Sequence, residues 1–222
     1  MNLRKPDLLL GIVCFAVAGL ACAAGAQAAD DSGYYLGGGI GRSRAANMGD
    51  ASAAVDTSLA SQGIGSSTSF GSADTAWKLF GGYQFTRYLG LEGGLTDLGR
   101  FSGSSAISAP VPDSGTGTWK AGNVLSLAAI GSLPLGNEFS AFGKLGLAYS
   151  RADLSYAAPV SGASISQSST QTTPLIGLGL KYDLDKHFAV RGEWERYMGL
   201  GDNSTSGRTD VNAWTASLQR RF

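Results

Sequence analysis

The residues of this chain that could do chemistry are few, and they are spaced in twos. In Phe188-Ala-Val-Arg-Gly-Glu-Trp-Glu-Arg196, the ionisable residues Arg191, Glu193 and Glu195 alternate with Val190, Gly192 and Trp194. A spacing of two is that of a strand, whose side chains point alternately to opposite faces. The same parity puts Lys78, Glu92, Lys144 and Lys181 on the less greasy face of otherwise apolar segments. Mixed acids and bases on one face imply ion pairing rather than acid–base catalysis. His187 is the sole histidine and sits beside Lys186 in a short polar segment, where a solvated turn residue is expected. A nucleophilic site would need a Ser/His or Asp/His constellation, and a zinc-type site needs more ligands than one His. Gly37-Gly-Gly-Ile-Gly41 is glycine-rich, but no helix pattern follows, which rejects a dinucleotide site. Asp97, Asp153, Asp202 and Asp210 are spaced as rim residues. Calcium is conceivable there, though solvation or pairing with lipopolysaccharide-bound cations is the expectation. No catalytic residue, metal site or cofactor is therefore assigned, and the chain is expected not to be an enzyme.

The elements that must position these charges come next. The clearest stretch is Ala76 to Arg100. In its first half Trp77, Leu79, Gly81, Tyr83 and Phe85 share one face, and Lys78, Phe80, Gly82 and Gln84 the other. After a tight turn near Thr86-Arg87, Leu89, Leu91, Gly93 and Leu95 alternate with Gly90, Glu92, Gly94 and Thr96. About ten alternating residues closed by a short turn is the unit of a transmembrane β-barrel. Eight such strands are expected, at 33–44, 73–84, 88–100, 119–133, 138–152, 172–184, 187–198 and 210–222. The connections alternate in kind. Those near Phe85-Thr86-Arg87, Pro134-Leu-Gly-Asn137 and Asp185-Lys186 are tight. Those at 45–72, 101–118, 153–171 and 199–209 are long and rich in Ser, Ala, Gly, Thr and Asp. Short turns on one rim and long loops on the other is the asymmetry of outer-membrane barrels, with the long loops outside the cell. An even strand number then puts both termini in the periplasm.

A soluble sandwich would also alternate. It would have no reason to collect Trp77, Tyr83, Phe85, Tyr88, Tyr149, Tyr182, Phe188, Trp194, Trp214 and Phe222 largely at strand ends on the apolar face. Amphipathic rings gather at the headgroup level of a bilayer. Backbone groups left unpaired in lipid cost several kcal/mol each, so the sheet must close. An Arg or Lys facing lipid mid-strand costs roughly 2–4 kcal/mol, so the charged parity must be the lumen side. Eight strands leave an interior just wide enough for side chains to fill. Lys78, Glu92, Lys144, Lys181, Arg191, Glu193 and Glu195 must then pair with one another, with room provided by Gly82, Gly90, Gly94, Gly146, Gly177 and Gly179. The fourth strand has an ambiguous phase after Leu127, where a bulge is expected.

Composition agrees. Charged residues make up 15% of 222 residues, below the roughly 25% usual in soluble proteins. Lys+Arg equals Asp+Glu at 17 each, so no basic excess points to nucleic acid. Arg4 and Lys5, the apolar run from Leu8 to Ala21 and Ala26-Gln27-Ala28 form a secretory leader, 1–28, cleaved after Ala28 with Ala29 as the alternative. The mature barrel domain is then 29–222. Both cysteines, Cys14 and Cys22, fall in the leader, so no disulfide is expected. A lipidated Cys22 would want a Leu-like residue three positions earlier, and Gly19 stands there.

Several segments together resemble a known family. Leu79-Phe-Gly-Gly-Tyr-Gln84, Leu89-Gly-Leu-Glu-Gly-Gly94, Asp97-Leu-Gly-Arg100, Lys144-Leu-Gly146, Arg151-Ala-Asp153, Arg191-Gly-Glu193 and Gly201-Asp202 are similar to the N-terminal membrane domain of the outer-membrane protein A family, in order and spacing. The resemblance implies an all-β, eight-stranded antiparallel up-and-down transmembrane barrel in a bacterial outer membrane. It also implies a lumen charge cluster of Glu92, Lys144, Arg191 and Glu193, with Lys144 where the family has Arg. The family's fourth strand carries a Lys that can switch its pairing with the Glu. The corresponding Val124-Leu-Ser-Leu-Ala-Ala-Ile-Gly131 has no charge, which weakens any gated pore. Family members continue into a periplasmic peptidoglycan-binding domain. This sequence stops at Phe222, and a stand-alone barrel without that role is expected. Trp214, Leu218 and Phe222 are similar to the assembly signal read by the outer-membrane insertion machinery, with Arg220 able to snorkel. Expected partners are outer-membrane lipid, lipopolysaccharide and that machinery, around a monomer. The expected role is a structural, surface-exposed barrel with a charge-plugged lumen. A narrow porin-like channel and an adhesin acting through the loops are the alternatives.

Overall fold

The computed structural model describes residues 32–46, 49–109, 113–121, 123–136, 138–158, 163–201 and 208–222. The expected leader and Asp202 lie outside these residues. The elements are β1 (Gly33–Ala45), α1 (Gly49–Ala60), β2 (Gly65–Phe70), β3 (Ala73–Gln84), β4 (Leu89–Asp97) and β5 (Arg100–Ala109). They continue as β6 (Asp113–Ala121), β7 (Val124–Pro134), β8 (Phe139–Ala158), β9 (Ala163–Asp183), β10 (Phe188–Leu200) and β11 (Thr209–Arg221).

Eight of these strands close a barrel. Around its wall run β1, β3, β4, β7, β8, β9, β10 and β11, each antiparallel to its neighbours. Closure comes from β1 pairing β11, from Tyr35 opposite Arg221 to Ala45 opposite Val211. Every wall strand thus has a partner on both edges, as lipid demands. The alternation holds along the wall as far as Tyr197 of β10, beyond which the register with β11 shifts. Leu36, Ile40, Leu79, Leu145, Leu178 and Leu218 point outward and are largely exposed, with Ile40 at 72%. Glu92, Lys144, Arg191 and Glu193 point inward and are buried. At the turn rim, outward aromatic rings pack in pairs: Tyr34 with Tyr83 at 4.7 Å and Phe139 with Tyr182 at 4.6 Å between centroids.

Two expectations need correction. The fourth wall strand, β7, has no phase change. It pairs β4 in one unbroken register from Leu89 opposite Gly131 to Thr96 opposite Val124. Val124, Ser126, Ala128 and Ile130 all face inward. Leu127-Ala-Ala129 looked ambiguous because Ala fits either face; the ladder decides for it.

The second correction concerns the long connections, which are folded. β8 and β9 run 20 and 21 residues, about twice what a span needs, and stay paired out to Ala158 opposite Ala163. β4 stops at Asp97 and the chain restarts as β5 after Gly99, whose φ of 81° suits a residue without a Cβ. The kink is fastened by Asp97, which accepts the Gly99 N–H at 2.8 Å, and by Asp74, which accepts the Arg100 N–H at 2.6 Å. β5 and β6 form a hairpin, and β6 pairs the outer half of β8 where β7 pairs the inner half. β2 adds to the free edge of β5. Asp56 on α1 ties the helix to β2 by accepting from the Ser66 and Thr68 hydroxyls at 2.7 Å each. The helix lays Val55 and Leu59, both fully buried, into a core with Leu98, Phe101, Trp119, Leu154 and Tyr156. A folded cap therefore stands on the long-hairpin end of the barrel.

Candidate functional site: the lumen charge cluster

The inward positions at mid-barrel hold three acids and three bases. Glu92 comes from β4, Glu193 and Glu195 from β10, Lys78 from β3, Lys144 from β8 and Arg191 from β10. All six are between 1% and 4% exposed. Glu92 accepts from Lys144 at 2.6 Å, from Arg191 at 2.8 Å and from the Tyr35 hydroxyl at 3.1 Å. Glu193 lies 2.8 Å from the Lys78 amine, 2.6 Å from that of Lys144 and 3.0 Å from the Arg191 guanidinium. Glu195 takes Lys78 at 2.5 Å, Lys144 at 3.1 Å and the Tyr197 hydroxyl at 2.9 Å. Each carboxylate thus meets at least two cations and a hydroxyl, Thr215 supplying the one to Glu193 at 3.3 Å. Moving ions out of water costs several kcal/mol apiece, and only such multiple, well-aimed contacts offset it. Three carboxylates this close would otherwise repel or gather a metal ion. Here the ammonium groups of Lys78 and Lys144 stand between them.

Above and below the cluster apolar side chains pack together, among scattered buried hydroxyls such as those of Thr96, Ser126 and Thr173. On the turn side Tyr35, Phe80, Ile130 and Phe142 form one packed group. The Arg191 guanidinium lies between the rings of Phe80 and Phe142, 4.4 and 4.5 Å from their centroids. This sandwich takes the faces of the guanidinium while its edge takes carboxylates, a division only Arg permits. On the other side Val124, Ala128, Ala148, Leu175, Tyr197 and Ala213 join the cap's core. The glycines make this fit possible. A Cβ on Gly179 would strike the Phe142 ring, and one on Gly82 the Tyr35 ring. Gly177 lies opposite Lys144 in the ladder and leaves room for it and for Glu195.

The four residues expected from the sequence, Glu92, Lys144, Arg191 and Glu193, are all brought together. Lys78 and Glu195 belong with them; their inward parity was the signal, and their level in the barrel was missing. Tyr35, Tyr197, Thr215 and Gln219 were not foreseen, because a neutral residue at an inward position carries no sign of what it meets. Lys181 also faces inward but sits near the turn rim and pairs Asp183 at 3.1 Å. The third base comes from β3, not from the uncharged β7.

The remaining candidates are dispersed. Asp153 pairs Arg151 at 3.1 Å, and Asp210 pairs Arg196 at 2.6 Å. His187 lies in the turn between β9 and β10, where its backbone N–H and that of Phe188 donate to Asp185 at 2.6 and 2.7 Å. Those two hydrogen bonds hold the Asp185 carboxyl below the usual carboxylate range. Trp214, Leu218 and Phe222 share the outward face at the chain's end, and the Arg220 guanidinium lies 5.0 Å from the Phe222 ring.

Comparison with known proteins accords with this geometry. The chain is 31% identical over 144 residues to outer membrane protein A of Serratia marcescens, an alignment covering 64% of this chain and 38% of that protein. It thus spans well under half the length of such relatives. Its fold is similar to neisserial surface protein A, with a TM-score of 0.52 at 12% identity over 87% of this chain and 100% of the other. It is likewise similar to OprG of Pseudomonas aeruginosa, with a TM-score of 0.50 at 15% identity over 86% and 96%. Residues 14–222 match the outer membrane protein beta-barrel domain. The chain belongs to that family, and it is an outer-membrane β-barrel of the outer membrane protein A type.

Proposed function

We propose that this chain is a structural barrel with a sealed lumen, which contributes to envelope integrity and displays its folded cap outside the cell. One observation carries this reading. Six paired charges lie between two apolar layers, so a solute crossing the lumen would have to break ion pairs and displace packed rings. Purified, refolded protein in planar bilayers should be essentially silent, beside a Glu92→Ala variant that opens at least transiently. Steady conductance that is equal in both would replace this reading with the porin-like one.

Orientation belongs to the same proposal. Both termini are periplasmic and the hairpin side is extracellular. Protease added to intact cells should cut within 45–72, 101–118, 153–171 or 199–209. Cuts confined to the turns near Arg87 and Lys186 would invert it. Lipid and lipopolysaccharide surround a monomer, and Trp214, Leu218 and Phe222 serve the insertion machinery during assembly. An adhesin role is disfavoured by the cap's surface. Its aromatics Phe101, Trp119 and Tyr156 are buried, and its outward positions are mostly Ser, Thr and Ala, without the anchors of a tight interface. The reading is non-enzymatic: the sole histidine, His187, lies exposed in the turn between β9 and β10, away from the buried charge cluster.

A further inference from the structure

The turn-side mouth of the barrel holds a cavity of about 210 Å³ that plays no part in the seal. Its inner end is closed by Tyr35, Phe142 and Arg191, so it is a blind cup. Lys181 and Arg221 stand in its wall, and among the described residues its only lining carboxylate is Asp183. Arg191 is already met by Glu92 and Glu193 one layer deeper. Asp183 serves two cations at once, with Lys181 at 3.1 Å and Arg221 at 4.0 Å. Two cations to one carboxylate leave a surplus of positive charge inside low-dielectric walls, which focus its field and raise the local concentration of anions. Ser132, Ser140 and Gln84 add neutral hydrogen-bond donors to the wall.

We propose that this cup binds an oxyanion of the phosphate class, held chiefly by Lys181 and Arg221. The anion supplies the second negative group that this pair lacks. Because the inner end is closed, the anion is retained and not passed. A soluble phosphate and a lipid phosphate headgroup at the rim share this chemistry.

The test uses the full barrel, refolded into nanodiscs of phosphatidylcholine and titrated with inorganic phosphate by calorimetry. Circular dichroism should confirm that each variant is folded. Saturable binding is expected. Lys181→Gln should weaken it about tenfold, the loss expected of one charge-assisted hydrogen bond. The Lys181→Gln/Arg221→Gln double variant should abolish binding, and Arg151→Gln on the opposite rim should leave it unchanged. Absence of saturable binding by the unmodified protein, or equal binding by the folded double variant, overturns the proposal. Repeating the titration in discs containing phosphatidylglycerol separates the sources. Weakened phosphate binding there assigns the cup to headgroups, and unchanged binding assigns it to a soluble anion.

Discussion

The lumen and the cap lie along the same strands yet are filled by opposite means. In β8 the inward Lys144 lies among paired charges, and the outward Leu145 and Leu147 are 69% and 58% exposed. Further along the strand, inward Leu154 and Tyr156 are buried, while outward Arg151, Ser155 and Ala157 are exposed. Parity never changes; what lies outside the wall does. Where lipid surrounds the barrel, apolar side chains gain nothing by turning inward, and the interior can be polar provided every charge is paired. Where water surrounds it, the hydrophobic effect returns and the interior is apolar. On β8 the inversion falls near Tyr149 and Ser150.

This contrast can be broken most sharply at Arg191. Arg191→Ala leaves three buried carboxylates to share two ammonium groups and should destabilise the barrel by about 3–5 kcal/mol in urea unfolding. Unchanged stability would mean that the cluster is hydrated and the lumen a water path. In the cap, Leu154→Ala should cost about 2–4 kcal/mol, in the range for Leu truncation in packed cores. That loss should be local. Hydrogen exchange should quicken in β5 and β6 and leave the β1–β11 ladder protected; a global loss would make the cap and barrel one cooperative unit. Replacing Glu92 and Lys144 together with Ala should be milder, within about 2 kcal/mol, because two acids and two bases remain. It should also raise conductance, by removing one acid and one base from the seal. The smallest effect is expected at the exposed turn. Asp185 has its carboxyl lowered by the His187 and Phe188 N–H groups, so its contribution is present above the ordinary Asp range, near pH ~4. The contribution is lost as pH falls through the lowered folded value. The stability gap between the native protein and Asp185→Ala should therefore close on acidification from pH 7 and stay flat above it.

Much of the wall was legible because a period of two is a local property. Trp77 and Lys78 declare opposite faces whatever their neighbours are, and β3 runs over the expected 73–84. The cap was not legible. Phe101, Gly103, Ser105 and Ile107 alternate inward as faithfully as any wall strand, but Ser and Gly on both faces hide the period. The break in 88–100 is hidden too: the kink at Gly99 moves the inward positions from even numbers, ending at Leu98, to odd numbers, starting at Phe101, and within 88–100 only Arg100 falls out of phase.

Alternation and the cost of ions in lipid require no knowledge of neighbours, so the phase of most wall strands, the placement of charges on the inward face and their need to be paired are all written in the sequence. Only the tertiary structure decided which charges meet. Lys78 and Glu193 are 115 residues apart and touch because closure through β1 and β11 sets the stagger between β3 and β10. The same stagger leaves Lys181 at the rim with Asp183, a different site made from the same parity.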